Sequence, residues 1–329
     1  MSTLAAAYVP TSLSILVALG ASLAGAIVAG YALTRLQPLH RARLTVWGLL
    51  IVGTAAVERL CARQPAGVRM VALISFALLV MKMIVVVEDH ARGLKALSFG
   101  RWLGFSAAWL GMQPRLFASA AMEPLPGAGA LMHRGLVHAT SGAILVVLAR
   151  LAWTDWQSRL AATLFLLTGL SLILHFGLCN VLAGAWRRRG VACEALFRAP
   201  LRSQSLGEFW AKRWNLAFSE MTAIAVYRPL AARVGRGPAL LGGFALSGLL
   251  HEVAISVPVR AGLGLPLAYF LLHGGLVLSE RALSRAGHPV GGWGGRIWVY
   301  FWVLAPLPLL FHLPFLGGVI WPLIGMPAV

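Results

Sequence analysis

MVALISFALLVMKMIVVV, residues 70–87, carries one charged side chain, Lys82, in eighteen residues. A helix built from it is apolar on every face, so it has no polar side to turn toward water. At roughly 1.5 Å of rise per residue it covers most of a hydrocarbon layer about 30 Å thick. The stretch predicts a membrane-spanning helix, with Lys82 either snorkelling to the interface or facing the protein interior.

Outward from this stretch the same pattern repeats. TSLSILVALGASLAGAIVAGYAL (11–33) predicts another span, and a shorter apolar run over 44–57 predicts one that borrows a flank. Further runs fall near 135–151, 160–185, 238–258, 262–279 and 297–321, which makes about eight transmembrane helices. FGRWLGFSAAWLGMQPRLF (99–117) is aromatic but broken by Gly and Pro, as expected of a broken or re-entrant element buried against other helices. No internal repeat or linker divides the chain. The expectation is one all-α polytopic membrane domain over 1–329, with re-entrant or interfacial elements.

Composition agrees. The 329 residues are 59% hydrophobic and 12% charged, with a mean hydropathy of +0.80, whereas soluble chains are about a quarter charged. The net charge of +18, from 28 Lys and Arg against 10 Asp and Glu, lies between apolar runs. It therefore reads as a topology signal, an attraction to anionic headgroups or a means of holding an anionic cosubstrate, and not as a nucleic-acid surface. Cys61, Cys179 and Cys193 have neither disulfide nor CxxC spacing. The N-terminus lacks a basic leader and a clear cleavage site, so the first run is expected to stay in the bilayer.

Residues 186–213 carry seven basic side chains (Arg187, Arg188, Arg189, Arg198, Arg202, Lys212, Arg213) against Glu194 and Glu208. The positive-inside bias assigns this linker to the cytoplasm, with Arg281, Arg285 and Arg296 on the same side. The linker 58–69, with Arg59, Arg63 and Arg69, fits that scheme badly, and the larger loop decides.

Several polar groups stand out in this apolar chain. His251 lies 13 residues after Pro238, roughly 20 Å into its span. An imidazole there is either a general base or a histidine hydrogen-bonded in a helix interface. Glu252 follows it and points another way around the helix. His175 and Cys179 share a helix face, but two ligands do not make a metal site. His133, His138 and His273 read as packing or interface residues. Glu88 and Asp89, beside His90, Arg92 and Lys95, read as a solvated, paired cluster. GGWGG (291–295) reads as a flexible basic loop.

SLGEFWAKRWN (205–215), with three aromatics, two basic residues, a carboxylate and an amide, is an unusual run in so apolar a chain. Ser205 followed by Glu208 is a capping box that starts a helix. Phe209, Lys212 and Arg213 recur at helical intervals, while Trp210 and Trp214 share another face. The expected result is an amphipathic interfacial helix carrying Asn215 toward the membrane. It is either an aromatic and basic anchor or a part of a site in which Asn215 is paired with His251.

SLGEFWAKRWN, followed some 30 residues later by LSGLLHE, resembles the wax synthase branch of the membrane-bound O-acyltransferases. WLGMQPRLF (109–117) is similar to an upstream element of the same relatives, with Trp109, Gly111, Met112 and Pro114. The likeness is best over 99–280, an acyltransferase-like core. It implies an acyl transfer from acyl-CoA to a hydroxyl of a lipid or other apolar alcohol, with His251 and Asn215 catalytic. Arg213, Lys212, Trp210 and Trp214 are then expected to hold the acyl-CoA, which is a cosubstrate, and no cofactor, metal or obligate protein partner is implied. Lys212 stands where many relatives have Arg, and it cannot repeat a bidentate guanidinium contact. The expected location is a bacterial inner membrane. A proton-coupled transporter of lipid-like substrates using His251 and Glu252, or a noncatalytic scaffold, are the other classes these features fit.

Overall fold

The computed structural model describes residues 3–121 and 123–327, and every regular element among them is helical. All eight apolar runs form helix. Five helices are long and apolar enough to cross a membrane: Leu13–Leu33, Ala66–His90, Ala128–Thr154, Arg159–Arg188 and Arg236–Val259. A sixth span arises if Gly292–Leu310 and Leu313–Ile324 are one broken crossing. The run at 44–57 belongs to contiguous helix over 39–60, and that at 262–279 to Leu265–Arg285. Charges at the ends of the first, and His273, Glu280 and Arg281 in the second, make these two less apolar.

The chain divides into two compact units, Met1–Ala195 with Leu316–Val329, and Leu196–Phe315. In the first unit Ala66–His90 is the central helix, with 72% of its apolar window buried against 17% for Leu13–Leu33. Leu13, Val17, Val28, Ile144 and Leu160 lie exposed on the outer helices, an apolar surface suited to lipid tails. Ala128–Thr154 and Arg159–Arg188 form a tight hairpin. A Cβ on Gly142 would lie 2.6 Å from the Gly169 carbonyl oxygen, so glycine permits the close backbone approach. The C-terminal segment is stitched into this unit by the Tyr8 hydroxyl donating to the Val319 carbonyl (2.9 Å), Arg150 to Ile324 (2.6 Å) and the Trp321 indole to Thr163 Oγ1 (2.9 Å).

Lys82 faces the interior. Its ammonium donates to the Gly111 carbonyl and lies 4.1 Å from the centre of the Phe105 ring. The stretch 99–117 breaks into Phe99–Ala107 and Pro114–Ala118, with Trp102, Trp109, Met112 and Phe117 buried. Glu88 and Asp89 are paired as expected but buried, not solvated. Arg43 grips Glu88 with two hydrogen bonds (2.8 and 2.7 Å), and Arg92 and Arg115 flank Asp89. A carboxylate this enclosed requires such partners. Arg69 is buried against Glu58, so the linker 58–69 exposes less positive charge than its sequence counts.

In the second unit, backbone over 196–204 that is irregular apart from a single 3-10 turn, Pro200–Arg202, leads to the turn at Ser205. Contiguous helix over 216–234 follows, then Arg236–Val259, Leu265–Arg285 and Gly292–Leu304. GGWGG is not a loop: Gly291 caps the last of these helices and the next four residues begin it. A Cβ on Gly295 would collide with the Gln204 carbonyl oxygen, so this glycine serves close packing, whereas Gly291, Gly292 and Gly294 face open space.

Candidate active site

The opening of SLGEFWAKRWN folds as its sequence demands, with one shift. Ser205 Oγ accepts the Glu208 N–H at 3.0 Å, and Glu208 reaches back to the N–H of Gln204 (2.8 Å), one residue before the cap. A second carboxylate, absent from the sequence reading, completes this start. Glu280 accepts the N–H groups of Leu206 (2.6 Å) and Gly207 (2.8 Å) and the Trp298 indole N–H (2.9 Å). It neutralises a helix N-terminus from more than seventy residues away, which no local spacing reveals.

The helix begun at Ser205 is short, contiguous over 206–213 only, and stops before Asn215. One α-turn, Leu206–Glu208, passes into a π-turn, Phe209–Arg213, and Trp214 is extended. Asn215 adopts the left-handed region (φ 44°, ψ 64°) and caps the next helix, its Oδ1 accepting the Phe218 N–H at 3.4 Å. Asn tolerates this backbone and offers a side-chain acceptor, so the chain turns here. Capping occupies the amide oxygen, and the amide N–H groups of Asn215 remain available as donors.

Arg213 is engaged within the segment. Its guanidinium pairs with Glu208 (2.7 and 2.6 Å) and donates to the Arg198 and Ala199 carbonyls (3.3 and 3.5 Å). Burial alone would raise the Glu208 carboxyl, but the Gln204 N–H and Arg213 outweigh it and hold its pKa below the usual value. Lys212 is exposed and makes no ion pair among the described residues. Trp214 stacks on Phe209 (5.6 Å, 12°) and meets Phe197 edge-on (5.0 Å).

Trp210 points into a cluster of rings: Phe209 at 5.0 Å, His273 at 5.3 Å, Phe270 at 5.6 Å and Phe244 at 6.1 Å. Ser219 fixes its backbone by donating to the Trp210 carbonyl at 2.5 Å. His251 joins the same cluster, 4.3 Å from Phe270 and 5.6 Å from Phe218, the residue whose N–H Asn215 caps. The structure therefore brings Trp210 and His251 to one shared ring. Asn215, Arg213 and Trp214 belong to the frame behind it, and Lys212 stands outside.

The His251 ring has a defined polarity. Nδ1 lies 2.7 Å from the Ser247 carbonyl oxygen, which only accepts, so the neutral ring carries its proton on Nδ1. Nε2 then presents a lone pair and meets no hydrogen-bond partner among the described residues. Glu252 faces elsewhere, as expected, and its Oε1 accepts the N–H groups of Gly264 (2.9 Å) and Leu267 (3.0 Å). It caps the helix Leu265–Arg285 that supplies Phe270. Beside it, His312 accepts the Phe315 N–H on Nδ1 (3.3 Å) and meets Ser256 Oγ through Nε2 (3.2 Å). This fastens the turn at Gly262, where the backbone has a φ of 73° and a Cβ would strike the His312 ring. Among the described residues, no three His, Cys, Asp or Glu side chains group closely enough to hold a metal ion.

Residues 193–272, which include this turn, His251 and Phe270, match the Membrane bound O-acyl transferase family. The chain is 31% identical over 99 residues to the long-chain-alcohol O-fatty-acyltransferase of Simmondsia chinensis, covering 27% of this chain and 28% of that protein. It is 32% identical over 143 residues to probable long-chain-alcohol O-fatty-acyltransferase 2 of Arabidopsis thaliana, covering 40% of this chain and 42% of the relative. Against probable long-chain-alcohol O-fatty-acyltransferase 7 of the same plant, the identity is 35% over 105 residues, 29% and 31% of the two chains. Each alignment spans less than half of the relative's own length. The chain is an integral membrane protein whose residues 193–272 are similar to the Membrane bound O-acyl transferase family.

Proposed function

We propose that this protein transfers an acyl group from acyl-CoA to the hydroxyl of a lipid or other apolar alcohol. The observation that carries the reading is the His251 ring, tied through Nδ1 and open at Nε2, beside the segment that the family match covers. Nε2 removes the hydroxyl proton as oxygen attacks the thioester carbonyl carbon. The tetrahedral adduct collapses, the C–S bond breaks, and the departing thiolate takes the proton from the imidazolium. The products are an ester and free CoA. Asn215 has donors left after capping, and we place them near the reacting thioester. No cofactor enters the scheme.

The basic residues of 186–213 suit entry of the anionic CoA moiety from the cytoplasmic side of a cell membrane, while the acyl chain and alcohol approach through lipid. The direct test supplies the purified protein in detergent with labelled acyl-CoA and a panel of alcohols. Ester should form with at least one apolar alcohol. Vectorial movement of a lipid without covalent change, and no ester with any alcohol, would overturn the reading.

A further inference from the structure

The Trp210 indole nitrogen is buried and has no hydrogen-bond partner among the described residues. An indole N–H is a donor only, and a buried one ordinarily finds an acceptor. Here the neighbours are rings: Phe209, Phe244 and His273 stand nearly perpendicular to it, and Phe270 is tilted. The backbone beneath is held by Ser219, and the turn itself by Ser205 and Glu280. The donor is rigid and enclosed by aromatic side chains, one of them His273, whose Nε2 is likewise buried without a partner among the described residues. Phe270, one of its walls, is also the ring against which His251 rests.

We infer that the Trp210 Nε1–H receives the acyl carbonyl oxygen of the thioester and holds it as it gains negative charge. This deepens the acyl-transfer reading and rests on it. As the alcohol oxygen bonds to the carbonyl carbon, the C=O π pair moves onto oxygen and the proton goes to His251 Nε2. A fixed donor in a water-poor site favours that charge without reorganising. When the C–S bond breaks, the pair returns, the carbonyl re-forms and the Trp210 contact weakens. The donor stays neutral throughout and requires no proton of its own. Trp302 provides an internal contrast. Its indole nitrogen is also buried and unpartnered, but its recorded ring neighbours are Trp298 and Phe301, not Phe270 or His251.

The test replaces Trp210 with 3-benzothienylalanine, in which sulfur stands for the N–H while ring size and shape are kept, alongside Trp210→Phe and Trp302→Phe. Initial rates are measured on folded, monodisperse protein with varied acyl-CoA. The benzothienyl variant should lose roughly 10²-fold in kcat with little change in KM for the donor, since the bond strengthens only on the way to the transition state. Trp302→Phe should retain wild-type kcat. A benzothienyl variant with wild-type kcat overturns the inference, even where Trp210→Phe has lost activity through poor folding. An equal loss of kcat in Trp302→Phe overturns it too, because the effect would then belong to any buried indole. Wild-type protein that forms no ester condemns the acyl-transfer reading itself, and an active wild type separates the two failures.

Discussion

Two polar interiors in this molecule are built on opposite terms. Along Ala66–His90 each buried ionised side chain is answered: Arg69 by Glu58, Lys82 by the Gly111 carbonyl and the Phe105 ring, Glu88 by Arg43, and Asp89 by Arg92 and Arg115. Around His251 the valences stay open. His251 has one committed nitrogen, Glu252 one committed oxygen, and Trp210 an unanswered N–H. The first unit has orphans as well, at Thr54, Ser106 and His90, but none beside an open base within a ring cluster. A closed ion pair fixes architecture, because leaving either charge alone in a low-dielectric interior is expensive. An open, rigid donor and an open base are instead what a reacting group can use.

The comparison breaks first at His251. His251→Ala removes one bond to a carbonyl of its own helix, so the protein should remain folded while ester formation falls by roughly 10²- to 10⁴-fold. Initial rates on matched amounts of folded protein decide it. More than about a tenth of the activity remaining would withdraw the general base, since such a base normally supplies at least that much.

Asn215 comes next, because its two ends can be separated. Asn215→Asp keeps an acceptor for the Phe218 N–H and a side chain that tolerates the left-handed backbone, but removes the amide donors. Activity should fall by roughly 10²-fold if those donors face the thioester, with little loss in thermal stability. Asn215→Ala should also lose about 1 kcal/mol of stability as the cap disappears. An active Asp variant would confine Asn215 to capping.

These residues also show how far the sequence was legible. Spans, the Ser205 cap and the mid-span His251 follow from local pattern, since hydrocarbon length, cap chemistry and an isolated imidazole are each visible in a short window. The left-handed break at Asn215 had a local signal: an Asn directly before LAFSEMT is a ready N-cap. Glu280, Phe270 and Phe244 had none, for they act on residues 206–210 from other helices. Tertiary contact also inverted the reading of GGWGG, because glycine signals a loop only until the Gln204 carbonyl is known to press on Gly295.

A smaller effect separates the two cations of the opening turn. Arg213 is already committed to Glu208 and two carbonyls, so Arg213→Ala should lower stability and leave the preference for acyl-CoA over a short nucleotide-free thioester unchanged. Lys212, exposed and in no ion pair among the described residues, is the better contact for a CoA phosphate. Lys212→Ala should lower kcat/KM for acyl-CoA alone, by a few-fold, as expected of one exposed point charge at about 1 kcal/mol or less. The kcat/KM ratio of the two donors measures both, and a ratio shifted only by Arg213→Ala would reverse the assignment.

In the closed interior, Lys82→Met keeps the volume but leaves the Gly111 carbonyl unanswered. Stability should fall by about 1–3 kcal/mol, while turnover per folded molecule is unchanged. A large loss of turnover in well-folded protein would show that Lys82 does more than brace the broken element at 99–117.

The last test asks whether one pair in the open unit behaves like the closed pairs of the other. Glu208 has its pKa held below the ordinary 4.5 by the Gln204 N–H and Arg213, against the opposing effect of burial. A carboxyl depressed on folding contributes stability that is fully present above its unfolded value and is lost as pH falls through the folded value. Thermal unfolding of wild type and Glu208→Gln should therefore differ by a constant amount from pH 7 down to about 5. The gap should close below that, as the wild-type carboxyl takes up its proton and both proteins carry a neutral side chain beside Arg213. With about a quarter of each side chain exposed (26% and 26%), the gap should be small and should shrink in salt. No difference at any pH would mean that Glu208 acts only through its backbone hydrogen bond, which a glutamine oxygen of the right geometry can also accept, and that Arg213 owes its place to the two carbonyls.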